Sequence, residues 1–126
     1  MIEMILLLLG LHWFGDFICQ TRWMANNKSK NLYALSLHVL AYTTVLTLGV
    51  FIGTEIMNIP LTAHYLFLFA FVNYGLHWMT DITTSQITKY FWFKQDIYKF
   101  FGTIGLDQYI HHICLILTAR EFIWRS

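Results

Sequence analysis

Three histidine–aspartate pairs recur in this chain at one spacing: His12-x3-Asp16, His77-x3-Asp81 and Asp107-x3-His111. On a helix, residues four apart lie one turn apart on the same face, with Cβ atoms about 5–6 Å from each other. Gln20 extends the first face by another turn, and Asn73 extends the second in the other direction. His38 adds a single imidazole from a fourth segment, with Tyr42 one turn on. Four imidazoles and three carboxylates make a mixed N/O donor set that suits Zn²⁺, Mn²⁺ or Fe²⁺ better than Ca²⁺ or Cu⁺.

The expected metal ligands are therefore His12, Asp16, His38, His77, Asp81, Asp107 and His111. His12, Asp16, His77, Asp81 and His111 fit best as direct ligands. His38 and Asp107 either orient them or belong to a second ion, because seven donors exceed what one ion uses. A divalent ion lowers the pKa of a water that it binds, and a spare carboxylate among Asp16, Asp81 and Asp107 can then act as general base. The competing reading of each pair is structural, an ion pair that fixes a tautomer or joins two helices. His64 reads as an interfacial residue. His112, about 100° around a helix from His111, is expected to face elsewhere. Cys19 and Cys114 read as packing residues, and two cysteines make no disulfide scaffold.

The elements that must position these residues follow from composition. Of the 126 residues, 57% are hydrophobic and only 12% are charged, against about one quarter charged in a typical soluble domain. So little charge argues against an ordinary soluble globule and against disorder. A net charge of +1 leaves no basic excess of the kind that nucleic acid binding needs. Four apolar segments, at about 2–19, 32–53, 61–82 and 104–123, are each long enough as helices to cross a hydrocarbon core of about 30 Å. The first has no basic residue before its apolar stretch and no A-x-A site after it, so it is expected to be a retained helix. Pro60, the only proline, stands at the start of the third segment, where its missing N–H is harmless.

The expected fold is all-α: a polytopic bundle of four transmembrane helices forming a single domain. An amphipathic interfacial helix over about 84–101 is expected between the third and fourth, since lysines interleaved with aromatics suit the headgroup level. Six of the eight basic residues lie in the connections 20–31 and 83–103: Arg22, Lys28, Lys30, Lys89, Lys94 and Lys99. The positive-inside rule then puts those loops in the cytoplasm and the termini outside. In an up-down bundle all seven expected ligands come to one depth, in the cytoplasm-facing half. An intramembrane aspartate costs about 2.5–3.5 kcal/mol on insertion scales, so such residues are functional candidates. Lys28 and Lys30 either set topology or meet an anionic group entering the site.

These residues together resemble a family of uncharacterised small integral membrane proteins of bacteria and their phages, a domain of unknown function. Its pattern is His-x3-Asp-Phe-x2-Gln, a polar Met-Ala-x2-Lys segment, a histidine in the second helix, His-x3-Asp in the third, and Asp-Gln-x2-His. This chain offers His12, Asp16-Phe17 and Gln20, then Met24-Ala25-Asn26-Asn27-Lys28, His38, His77, Asp81, and Asp107-Gln108 with His111. Some viral members look similar in the strip Thr84-Ser85-Gln86-Ile87-Thr88 and in Phe100-Phe101 through Ile104-Gly105, but carry a basic residue where Gln86 stands and a histidine where Tyr98 stands, so no role is carried over to that strip. The resemblance implies a bacterial inner-membrane protein. The motif style is also similar to that of membrane-bound metal-dependent hydrolases, an analogy of pattern.

The leading functional expectation is a membrane-embedded hydrolase that uses one or two divalent transition metals. It would act on a phosphoester or lipid-linked phosphate at the cytoplasmic leaflet, with Gln20, Lys28 and Gln108 contacting substrate. Two alternatives stand beside it. One is a small ion- or proton-handling transporter or channel, which would be a homo-oligomer. The other is a non-catalytic phage or bacterial membrane protein that binds a host membrane protein. Membrane lipids are expected partners in every case, and nucleic acid in none.

Overall fold

A computed structural model describes residues 1–125. It is helical throughout: α1 (Ile2–Trp13), a π-helical turn (Phe14–Ile18), α2 (Arg22–Asn27), α3 (Leu32–Ile56), α4 (Ala63–Phe93) and α5 (Ile97–Phe122). The later helices begin where short polar side chains accept orphan backbone N–H groups. Thr21 accepts from Met24, Asn31 from Tyr33 and Ala34, Thr62 from Tyr65, and Asp96 from Lys99. A cap of this kind stabilises a helix by about 1 kcal/mol.

The four long elements close a ring. α1 packs on α3 and α5, α3 packs on α4, and α4 packs on α5. The apolar core fills one end of this ring with Met4, Leu8, Leu46, Val50, Phe69, Leu115, Ala119 and Ile123, all buried. Two glycines set the closeness of α1 to α3. A Cβ on Gly49 would fall 2.3 Å from Leu11 Cδ2, and one on Gly53 would fall 2.2 Å from Leu7 Cδ2. The Gly49-x3-Gly53 spacing thus gives α1 a groove on α3, the use that small residues four apart have where helices approach closely.

The structure corrects two features of the expected layout. The stretch 84–101 is not one interfacial helix. α4 runs unbroken to Phe93, the chain reverses through Lys94, Gln95 and Asp96, and α5 starts at Ile97. No glycine or proline lies between Gly75 and Gly102 to end α4 sooner, so the turn is made by Gln95 in the left-handed region (φ 57°) and by the Asp96 cap. The lysine–aromatic pattern is that of two helix arms facing each other, with the Trp92 and Phe100 rings 5.2 Å apart between them. The connection 20–31, expected only as polar, contains α2.

Among the described residues one helix, Leu32–Ile56, is long and apolar enough to cross a membrane by itself, with a mean hydropathy of 1.8 in its most apolar window. The π-helical turn divides the first apolar segment. α4 and α5 carry the polar residues of the site, which lowers their mean hydropathy.

Candidate metal centre

The π-helical turn sets the first part of the site. π-turns inside helices are rare and often mark functional positions, because they re-aim a side chain within the helix. Here the turn carries Asp16, and Gly15 beside it lets α1 meet α3: a Cβ there would lie 3.0 Å from Tyr42 Cδ2. Asp16 Oδ1 comes to 3.1 Å from His38 Nε2 on α3 and 3.5 Å from His77 Nε2 on α4. The same two imidazole nitrogens lie 3.3 and 3.7 Å from Asp81 Oδ2, and 3.3 Å from each other. All four side chains are buried.

These separations can be tested against a metal ion. Ligands about 2.0–2.1 Å from a tetrahedral ion lie about 3.3–3.4 Å from one another. Five of the six edges of the His38–His77–Asp16–Asp81 tetrahedron measure 3.1, 3.3, 3.3, 3.5 and 3.7 Å. The two imidazole nitrogens face each other at 3.3 Å, where they share one proton at most, and Asp16 Oδ1 is buried with no well-formed hydrogen bond. Buried donors that converge on one point without satisfying each other are what a cation would complete.

A second group shares Asp81. Its other oxygen, Oδ1, lies 3.1 Å from His111 Nε2, and that nitrogen lies 3.3 Å from Asp107 Oδ1. Asp107 Oδ1 also accepts from the Thr84 hydroxyl at 2.5 Å. Asp81 therefore offers one oxygen to each of two groups that could each hold an ion, Asp16–His38–His77–Asp81 and Asp81–Asp107–His111.

The remaining expected residues take distinct places. His12 stands outside both groups. Its Nε2–H donates to Gln108 Oε1 (2.9 Å), which leaves Nδ1 to accept from the Tyr42 hydroxyl (3.1 Å). Both ring nitrogens are thereby engaged, so His12 holds the partners of the ligands. Gln108 Nε2 in turn donates to Asp16 Oδ2 (2.9 Å) and Asp107 Oδ2 (3.1 Å), tying the two groups together. His112 does not face elsewhere: its ring meets His12 edge-on at 4.8 Å. Both cysteines are free thiols.

Lys28 reaches from the end of α2 to Asp81 Oδ2 at 2.7 Å. Its partial burial opposes the charge, but Asp81, Asp16 and Asp107 outweigh that penalty and hold its pKa above the ordinary lysine value. Three carboxylates against one ammonium leave two negative charges when the imidazoles are neutral, the charge that one divalent cation matches.

A cavity of about 710 Å³ opens on the carboxylate side. Asp16, Asp81, Asp107, Gln20, Gln108 and Lys28 all line it. Gln20 Oε1 is buried there without a partner.

Sequence reasoning missed Thr84 and Thr118, and it placed Tyr42 and Asn73 on helix faces without their partners. Thr84, three residues after Asp81, holds Asp107, and the helical spacing itself pointed to it. Tyr42 holds His12 and lays its ring 4.0 Å from that of His77. Asn73 and Thr118 hydrogen-bond across α4 and α5, with Asn73 Nδ2 donating to Thr118 Oγ1 at 2.9 Å.

Comparison with curated proteins gave no match, and comparison with solved structures gave none. A family model described as "Protein of unknown function (DUF3307)" matches residues 4–126. With nearly the whole chain covered by that match, this protein belongs to the DUF3307 family.

Proposed function

We propose that this chain is a four-span membrane protein whose buried His/Asp cluster holds divalent metal and hydrolyses phosphoesters at the cytoplasmic leaflet. The observation that carries the reading is Asp81. Its two oxygens serve two ligand groups, one of them with near-tetrahedral edges, and both adjoin the cavity through carboxylates. Carboxylate-bridged pairs of this kind recur in two-metal hydrolytic sites. Zn²⁺, Mn²⁺ and Fe²⁺ fit the donors, and one or two ions fit the count.

Divalent metal would supply Lewis acidity and an acidified water at neutral pH. The chain's own residues do the rest. Asp107, half-buried at the cavity, accepts the proton of the attacking water, its Oδ1 held by Thr84 and its Oδ2 by Gln108. As water oxygen bonds to phosphorus, the ester P–O bond breaks and that proton passes to the departing oxygen. Lys28 presents an ammonium to the phosphate, and Gln20 offers its unpartnered oxygen to a substrate hydroxyl.

Membrane placement is supported by the outward faces. Leu6, Leu48, Phe71 and Leu117, on α1, α3, α4 and α5 in turn, are all more than half exposed, and apolar surface on every helix suits lipid. Counting basic residues puts the segments 20–31 and 83–103, which hold α2 and the α4–α5 arms, on the cytoplasmic side and the termini outside. The polar ladder supports hydrolysis over conduction. It ends at Asn73–Thr118, and beyond it Met4, Val50, Phe69, Ala119 and Ile123 are buried, with the Thr54 hydroxyl turned back onto its own helix at Val50 O.

Metal content of the purified protein in mild detergent tests the reading, together with turnover of p-nitrophenyl phosphate. Wild type should carry stoichiometric transition metal, and Asp81→Ala and His77→Ala should lose both metal and turnover. A wild-type protein that stays metal-free after metal-replete growth would remove the basis of the proposal.

A further inference from the structure

The cavity beside the metal centre has two unlike sides. Its floor is the carboxylate cluster with Gln20 and Gln108. Lys28, Lys30 and Lys89 come to it from α2, the following turn and α4. The opposite wall is apolar: Trp92 and Phe93 from α4, Phe100 and Ile104 from α5. That wall does not stop inside the protein. Trp92 is 51% exposed and Phe93 72%, so an apolar surface runs from the cavity to the outside. Two buried polar atoms that line the cavity, Gln20 Oε1 and Ser85 Oγ, have no partner. At about 710 Å³, the space lies within the range of about 300–1,000 Å³ typical of small-molecule sites.

A water-soluble phosphoester would use the floor and the lysines but would leave the aromatic wall unexplained. A neutral lipid would use the wall, would give Lys30 and Lys89 no anion to meet, and would leave the two unpartnered polar atoms unused. We infer that the cavity binds an amphiphilic phosphate, an anionic phosphate headgroup carrying a long apolar chain. The phosphate sits between Lys28 and the metal-loaded floor, and the chain leaves along Trp92 and Phe93. This rests on the phosphoester reading for the fate of the phosphate, and it adds the substrate class.

Binding can be read with full-length protein in phosphatidylcholine nanodiscs supplied with Mn²⁺, using dodecyl phosphate, inorganic phosphate and dodecyl maltoside as probes, with empty nanodiscs as the partitioning control. Dodecyl phosphate should bind at least about 10-fold more tightly than either other probe, since both the chain and the phosphate contribute. Trp92→Ala should weaken dodecyl phosphate about 5- to 10-fold and leave inorganic phosphate unchanged. Phe93→Ser, at a position exposed enough to leave folding intact, should act in the same direction. Lys30→Gln with Lys89→Gln should weaken both phosphates and leave the maltoside unchanged.

Equal affinity for dodecyl and inorganic phosphate would overturn the inference, as would equal affinity for dodecyl phosphate and the maltoside, or loss of both phosphates on Trp92→Ala. If p-nitrophenyl phosphate is turned over without selectivity for the chain, this inference fails and the hydrolase stands. If binding is selective and wall-dependent but no turnover occurs, the hydrolase fails and the amphiphile site stands.

Discussion

At one end of the helix ring, α1 and α3 meet through Leu7 and Leu11 lying over Gly53 and Gly49, above a core of Met4, Leu8, Leu46, Val50 and Phe69. At the other end, the same helices with α4 and α5 meet through Asp16, His38, His77, Asp81 and His111, buried to the same degree. The apolar end is held by shape, and many side chains of similar volume would serve it. The polar end is held by charge and direction. Removing one partner there leaves another buried and unpaired, a far larger penalty than the loss of one contact. Helix–helix packing alone does not call for three carboxylates at one depth, and the difference between the ends marks the polar one as the candidate site.

The sharpest way to break that contrast is Asp81→Ala. It strips Lys28, His38 and His111 of their shared carboxylate, and breaking a buried ion pair costs about 3–5 kcal/mol. Denaturant unfolding in detergent should show a loss of that size. EDTA should lower the wild-type unfolding temperature and leave Asp81→Ala unmoved, because only a site that binds metal is stabilised by it. An EDTA effect of equal size in both proteins would place the metal elsewhere.

At the apolar end, Gly49→Ala should cost about 1–3 kcal/mol by overpacking. Its new methyl would meet Leu11 as far in as Cγ, at 2.9 Å. Gly53→Ala should cost less, because only the tip of Leu7 stands in the way while its Cγ is 3.7 Å off. Both should keep the wild-type metal content. Metal loss in Gly49→Ala to the extent seen in Asp81→Ala would show that the two ends act as one unit.

Thr84→Val removes the hydroxyl that Asp107 accepts from. It should cost about 1 kcal/mol in unfolding free energy and lower phosphoester turnover more than it lowers metal content. Smallest of all, Glu121→Gln breaks the exposed pair with Arg125, where the Glu121 side chain is 48% accessible. Such i,i+4 pairs are worth about 0.3–0.5 kcal/mol, so unfolding, metal and turnover should all stay near wild type.

Much of the site was legible in the sequence. A chain with seven acidic residues that places three of them beside histidines inside apolar segments announces a cluster, since carboxylates are costly there. The i,i+4 spacing fixes which residues share a helix face, so His77 with Asp81 and Asp107 with His111 were readable directly. Helical class and the up-down order followed from segment length. The α4–α5 arms were not legible, because a lysine–aromatic pattern reads alike whether the helix lies on a surface or faces another helix. The π-helical turn was also hidden. Phe14-Gly15-Asp16 fits an ordinary α-helix in isolation, and only the packed structure puts Gly15 where a Cβ would come within 3.0 Å of Tyr42 Cδ2.

By itself, then, the sequence determined the helical class and the gathering of histidine and aspartate at one depth. These depend on local backbone chemistry and on the cost of burying charge, both of which act residue by residue. Only the tertiary structure decided which donors share a point. It engaged both nitrogens of His12 with Tyr42 and Gln108, set Lys28 on Asp81, and gave Asp81 one oxygen for each group. That choice depends on how closely α1 approaches α3 and how α4 faces α5, distances fixed by packing between helices far apart in the chain.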